Sequence, residues 1–138
     1  MDADERGFKH EETTGKIIQA FYEVYNELGH GFLESVYQQA MYMVLTGLGA
    51  KVEYEFPISV WFRGQAVGKF EADLLVNDCV IVELKGARNL DPAHEAQLLN
   101  YLRATDIEVG LVLNSGPKAQ FKRFAFENSR KKSRNQQP

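Results

Sequence analysis

One cysteine, Cys79, occurs in 138 residues, and it lies in an apolar run. A lone thiol builds neither a disulfide framework nor a zinc site, and it suits a reducing interior. No apolar stretch approaches the roughly 20 residues that cross a bilayer. The opening residues, MDADERGFKHEE, lack the basic start and apolar run of a secretory leader. The expectation is a cytoplasmic protein with no membrane partner. Positive charge is not in excess either. The formal net charge is −3, so contact with a polyanion needs local rather than global positive charge. There is no internal repeat. What is present is a globular composition, 44% apolar and 25% charged. Such a length holds one domain with a core and is too short for two ordinary ones.

The pattern along the chain alternates between two periods. Residues 1–12 are polar and read as a flexible N-terminus, with the folded domain over 13–127. Thr13 or Thr14 can cap a first helix carrying Ile17, Phe21, Val24 and Leu28, stopped by Gly29. A second helix is expected over 33–48, with Val36, Ala40, Val44 and Leu48 as one stripe joined by Tyr37, Met41 and Leu45. Residues 51–62 alternate as a strand, with an edge position or bulge at Pro57. Strands follow over 66–76 and 80–84, then a helix capped by Asp91 with Pro92 in its first turn. A last apolar strand runs over 109–113, and 121–126 can add an edge strand. From Asn128 the chain has nothing to bury and reads as a disordered basic tail. The order ααβββαβ gives an α/β fold. Consecutive strands form antiparallel hairpins, and the late helix allows a parallel crossover. The result is a mixed central sheet flanked by helices.

Within the apolar stretches 72–76 and 80–86 stand three charges, Asp73, Glu83 and Lys85. Glu83 and Lys85 are two apart and share a strand face, about 6.6 Å apart along it. Asp73 lies ten residues earlier on the neighbouring strand. Whether Asp73 meets Glu83 depends on register. A two-residue turn at Asn77-Asp78 sets Asp73 opposite Val82, and the two acids then face opposite ways. A three-residue loop sets Asp73 opposite Glu83. Turn chemistry leans to the shorter loop, because Asn tolerates positive φ and Cys79 does not do so readily. A shared metal needs the longer one, and that register is the expectation here. Two facing carboxylates repel unless a cation neutralises them, and oxygen-only ligation suits Mg²⁺ or Mn²⁺. Such a metal polarises a phosphate and acidifies a bound water, while Lys85 positions that water or steadies developing charge. That chemistry hydrolyses phosphodiesters. Read structurally, Glu83 and Lys85 are a solvated strand end with an ordinary ion pair. Asp73 inside an apolar run weighs against this, since an unpaired buried charge costs several kcal/mol.

The pattern Asp73-x9-Glu83-x-Lys85 resembles the PD-(D/E)XK nuclease superfamily. GFLESVY (31–37) is similar to the Gly-x-x-Glu-x-x-Tyr signature of the GxxExxY protein family. Residues 72–76, 80–86, 94–102 and 110–114 resemble that family too, so the likeness spans about 14–125. The resemblance implies a restriction-endonuclease-like fold and a metal-dependent nuclease. It implies Glu34, Asp73 and Glu83 as metal ligands, with Asp73, Glu83 and Lys85 as the catalytic core. Gln97-x-x-x-Tyr101 resembles the QxxxY motif of RecB-like nucleases. Four apart on a helix, these two are neighbours, so Gln97 can reach the lysine or a phosphate and Tyr101 can support it or stack. The departures are Ala72 for a proline, and Gly86 and Ser115 for an alanine and an aromatic or glycine-rich stretch; neither of the last two is expected to touch the ligands.

Other residues have plainer readings beside functional ones. Glu34 can simply favour the helix dipole. Tyr37 is core or a supporting partner of Glu34. His94 is a surface or capping residue that could also meet phosphate. Arg88, Lys118, Lys122 and Arg123, with the tail residues Arg130, Lys131, Lys132 and Arg134, could grip phosphates without reading bases. No helix motif for base readout is present. The partner implied is nucleic acid, DNA ahead of RNA, with a homodimer as a way to cut a duplex. The competing reading is a non-cleaving module that keeps this fold and binds nucleic acid or protein.

Overall fold

A computed structural model describes residues 9–132. Two helices, α1 (Glu11–Leu28) and α2 (Glu34–Gly47), precede strands β1 (Val52–Phe62), β2 (Gln65–Val76) and β3 (Val80–Lys85). Helix α3 (Pro92–Ala104), strands β4 (Val109–Ser115) and β5 (Ala119–Ala125), and a 3₁₀ turn (Asn128–Arg130) complete the chain. The five strands lie in sequence order. All neighbours are antiparallel except β3 and β4, which run parallel across α3. The mixed sheet and the element order are those expected from the sequence.

Helices α1 and α2 cover one face, where Phe21, Tyr37, Met41 and Leu45 pack on Leu74, Val80, Val82 and Leu111. On the other, Leu98, Tyr101 and Leu102 of α3 pack on Ile81 and Val112. Strand β4 is buried along its whole length and β3 up to Lys85, which accounts for their unbroken apolar runs. No helix among the described residues is long and apolar enough to cross a membrane.

The β2–β3 turn reconciles two expectations that looked exclusive. Asn77 and Asp78 both have positive φ, 51° and 59°, and the Cys79 N–H donates to the Val76 carbonyl at 3.0 Å. That is a two-residue turn with the chemistry Asn-Asp favours. Yet Val76 pairs with Val80, so Cys79 is an extra, bulged residue and the register is the longer loop's.

A second irregularity was not expected. Residues of one parity on a strand share a face. Val52 packs with the α1/α2 side, whereas Phe56, Ile58 and Val60 pack with the α3 side. On β2, Leu74 and Val76 face α1/α2, but Ala72 faces α3. The hairpin therefore exchanges its faces between these residues. Tyr54 pairs with Leu74 and Phe56 with Ala72, and the intervening Glu55 and Asp73 are not register partners. Glu55 has φ 53°, the left-handed backbone that breaks strand alternation. The β2–β3 ladder ends at the same level, its last pair being Leu74 with Val82.

Several boundaries differ from the sequence reading. Helix α1 begins at Glu11, inside the segment expected to be loose. Lys9, just before it, bonds Glu108 at 2.7 Å, and Arg123 donates to the Lys9 carbonyl at 2.6 Å. Neither threonine caps this helix: Thr13 accepts a bond from Asn77, and Thr14 donates to the Glu11 carbonyl. On α2 the buried stripe is Tyr37, Gln38, Met41 and Leu45, while Val36 and Leu48 are exposed at its flanks. Pro57 lies on an edge strand, one of the two positions expected for it, while the register shift of β1 falls between Val60 and Trp61. Residues 128–130 are ordered because Lys131 is buried, its Nζ donating to the carbonyls of Thr105 and Ile107 at 3.0 and 2.6 Å. The expectations for residues 1–8 and 133–138, Arg134 included, lie outside the described residues.

Candidate active site

Where β2 parts from β3, two backbone N–H groups lose their ladder partners, and two carboxylates take their place. The Asp73 N–H donates to Glu83 Oε2 at 2.8 Å, and the Leu84 N–H donates to Asp73 Oδ2 at 2.7 Å. The splay thus makes room for the acids and fixes them. Glu83 is only 3% exposed. Burial, and next the Asp73 carboxylate, push its pKa up to about 8; the Asp73 N–H and Lys85 oppose this. Burial also raises Asp73, opposed by the Leu84 N–H and Lys85, with Glu34 and Glu55 adding to the rise. Glu34 thus adds to the rise of both carboxyls and Lys85 opposes it at both.

The Lys85 ammonium does not make the ordinary ion pair with Glu83. Lys85 Nζ donates to Gln97 Oε1 at 2.8 Å, and Gln97 Nε2 donates to the Tyr101 hydroxyl oxygen at 3.1 Å. Burial, then Glu83, raises the Tyr101 pKa. The helix that carries this chain starts with an Asp91 cap whose Oδ1 accepts the N–H groups of Ala93 and His94.

Helix α2 approaches from the other side. Glu34, its first residue, accepts the Gly86 N–H through Oε2 at 3.0 Å. One turn on, Gln38 is 8% exposed and donates to the Asp73 carbonyl at 3.0 Å. The entry to this helix is held by Tyr37, whose hydroxyl donates to the Gly29 carbonyl at 2.6 Å and accepts the Phe32 N–H at 3.4 Å. Gly31 has φ 108°, which glycine alone adopts at little cost. Gly31, Glu34 and Tyr37 thus serve one turn, with Tyr37 supporting it rather than bonding Glu34.

The exit of β3 is pinned from β4. Fully buried Asn114 accepts the Ala87 N–H at 2.9 Å and returns a bond to the Ala87 carbonyl at 2.8 Å. Ser115 Oγ donates to the Lys85 carbonyl at 3.3 Å. Contrary to expectation, Gly86 touches a proposed ligand, Glu34, whereas Ser115 meets the backbone of Lys85 and none of the proposed ligands.

The donors at this place are all oxygens, the set a hard divalent cation takes. Asp73 and Glu83 are adjacent, and Glu34 is across Gly86. Among the described residues, however, no three His, Cys, Asp or Glu side chains are gathered into a metal cage. Each of these carboxylates is instead turned to a backbone N–H. The chemistry of the donor set fits the cation, but the side chains as they stand do not enclose one.

The basic residues are dispersed. His94 completes the cap of α3, its Nδ1 accepting the Asp91 N–H at 3.4 Å. Lys122 bonds Glu95 at 3.1 Å, and Arg123 is held by the Lys9 carbonyl. Arg88, in the loop after β3, and Lys118, in the β4–β5 turn, are exposed. Three residues that sequence reasoning passed over join the site: Gln38, Asn114 and Glu55. For Asn114, an amide ending an apolar strand was a legible signal. Glu55 gave none.

A family model of the PD-(D/E)XK nuclease superfamily matches residues 11–124. No curated protein matches the chain. Among solved structures, one described as "Crystal structure of SSO0001" is similar, with TM-score 0.52 and 18% identity over 67% of this chain and 50% of that one. The chain thus spans about half the length of that protein, and likeness at this identity speaks for the fold alone. The mixed sheet with helices on both faces is the restriction-endonuclease-like fold.

Proposed function

The chain belongs to the PD-(D/E)XK nuclease superfamily, and from that premise we propose that it is a metal-dependent nuclease that hydrolyses phosphodiester bonds, in DNA ahead of RNA. The observation that carries this reading is the Asp73–Glu83 pair at the splay, Glu83 buried and Asp73 half-buried, with Lys85 on the same strand as Glu83 and held by Gln97. A buried carboxyl beside a second one keeps its proton unless a cation takes its place. Asp73 and Glu83, with Glu34 and the Leu84 carbonyl, would hold Mg²⁺ or Mn²⁺. When bound, such a cation polarises the phosphate and acidifies water beside it. Lys85 offers positive charge and N–H donors where the phosphate gains charge in the transition state. Gln97 holds the lysine to one position, and Tyr101 holds Gln97. Glu83 must surrender its proton to hold a cation, so metal binding strengthens as pH rises toward about 8. Gly31, Glu34 and Tyr37 support membership of the GxxExxY group within the superfamily. A reducing, cytoplasmic setting suits the single thiol, and a second copy would serve for cutting both strands of a duplex.

The competing reading is a module that keeps the fold and binds nucleic acid or protein without cleaving. It is favoured by the carboxylates' engagement with backbone N–H groups instead of a ready cage. Incubation with single- and double-stranded DNA and RNA, in Mg²⁺ or Mn²⁺ and then in EDTA, separates the two. Cleavage that stops in EDTA and falls by about 100-fold or more in Lys85→Ala and Asp73→Ala is the expected result. No cleavage of any substrate, or cleavage indifferent to both substitutions, sinks the nuclease reading.

A further inference from the structure

The distal half of the β1–β2 hairpin continues past the end of its pairing with β3, and its inner face looks onto α3. Between them lies a groove of about 530 Å³. Val60 and Phe70 form the hairpin wall, Ala93, Ala96 and Asn100 the α3 wall, and Gln97 and Tyr101 the inner end. None of these side chains is charged. Phe70 is 48% exposed, with its ring centroid 6.0 Å from that of Tyr101 and the planes at 43°. Ala93 and Ala96 are exposed and small, so the helix leaves the space open.

Two features connect this groove to the catalytic centre. Gln97 and Tyr101 line it and also form the chain that holds Lys85. Phe70 is three positions before Asp73 on β2, about 10 Å along the strand. A strand whose phosphate rests at the carboxylates therefore has a neighbouring nucleotide within reach of the groove. Phosphates belong with the ammonium and the cation. An uncharged slot with aromatic rings and amide side chains suits the other half of a nucleotide, whose π face stacks and whose edge hydrogen-bonds. In a duplex that half is paired and stacked, and it does not enter a side groove without being extruded.

We propose that the groove between the β1–β2 hairpin and α3 receives an unpaired nucleobase of the strand being cut, which makes single-stranded or unpaired nucleic acid the preferred substrate. Phe70 is its stacking wall, Tyr101 backs Phe70 at the inner end, and Asn100 offers an amide to the base edge. On a single strand one copy of the chain suffices for a cut. This selectivity rests on the nuclease reading only in assuming that the bound polymer is nucleic acid.

The test is equilibrium binding of the full chain to a single-stranded oligonucleotide carrying 2-aminopurine, in EDTA so that nothing is cut. The expected result is quenching of the base fluorescence on binding and weaker binding of the matching duplex. Phe70→Ala abolishes the quenching and weakens binding by about 10-fold, the size of one lost base–aromatic stack. Phe70→Tyr retains both. Ala96→Trp, at an exposed helix position where folding is not at stake, fills the groove and acts like Phe70→Ala. Absence of quenching, indifference to Phe70→Ala and Ala96→Trp, or equal affinity for duplex overturns the proposal. Cleavage in Mg²⁺ or Mn²⁺ is read separately. Cutting without base capture removes the groove and leaves the nuclease; base capture without cutting in either metal does the reverse.

Discussion

Glu83 is a carboxyl group whose surroundings favour its proton. Burial and the Asp73 carboxylate raise its pKa from 4.5 to about 8 in the folded chain. Because the folded value is the higher one, this group's contribution to stability is complete below about pH 4.5 and is lost as pH rises through about 8. Asp73 shifts the same way, so the two titrate as a pair. In EDTA, the stability of the natural chain relative to Glu83→Gln is expected to fall by a few kcal/mol between pH 5 and pH 8, at about 1.4 kcal/mol per pKa unit. Mg²⁺ or Mn²⁺ should recover that loss in the natural chain and not in the variant. Parallel denaturation curves across the range would refute the pairing. At Lys85 the prediction concerns coupling. If Gln97 acts only by holding Lys85, Gln97→Leu lowers kcat by about 10-fold, within the ordinary range for a positioning contact. The double variant with Lys85→Ala is then no worse than Lys85→Ala alone. Independent, multiplying losses would assign Gln97 a separate job. These residues were legible because each is a charge or amide at a spacing with few structural uses. Gln38 was missed because a glutamine in an amphipathic helix looks like surface, and only its bond to the Asp73 carbonyl reveals its place.

At the scale of elements, loops hold the site as firmly as strands do. A Cβ on Gly116 would fall 2.0 Å from the Ala87 carbonyl oxygen, a backbone atom with no room to yield. Gly116→Ala is therefore expected to cost about 1–3 kcal/mol in chemical denaturation, as overpacking does. It should also lower cleavage, because Ala87 follows the Gly86 N–H that Glu34 accepts. A stability loss with cleavage unchanged would mean the loop is only a connector. Asp91→Ala removes the cap of α3 and should cost about 1 kcal/mol while leaving the Lys85–Gln97 bond, a turn further on, intact. The Asp91-Pro92 start could be read from sequence because caps are local chemistry. The β2–β3 register could not be decided that way. Asn-Asp specified the turn, and nothing local announced that Cys79 would bulge and shift the pairing.

Across the whole molecule the order of elements was readable, because helical and strand periods alternate cleanly and β3 and β4 carry the unbroken apolar runs of strands covered on both faces. The exchange of faces at Glu55 and Asp73 was not. Its origin is one left-handed residue among alternating charges, where either parity looks equally good. The fold predicts a gradient of local stability. Amides of β3 and β4, enclosed between two clusters, should exchange hydrogen slowest, and those of the exposed 62–69 end of the β1–β2 hairpin fastest. A hairpin tip as protected as β4 would contradict it.

The crossover at Glu55 and Asp73 also separates the hairpin into two parts that answer to different neighbours. Below it, inward-facing residues must suit α1 and α2; beyond it, they must suit α3 alone. Trimming or extending the distal strands by matched residues would leave the Asp73–Glu83 alignment untouched. The tip can therefore be lengthened, shortened or relined by design while Asp73 and Glu83 keep their places.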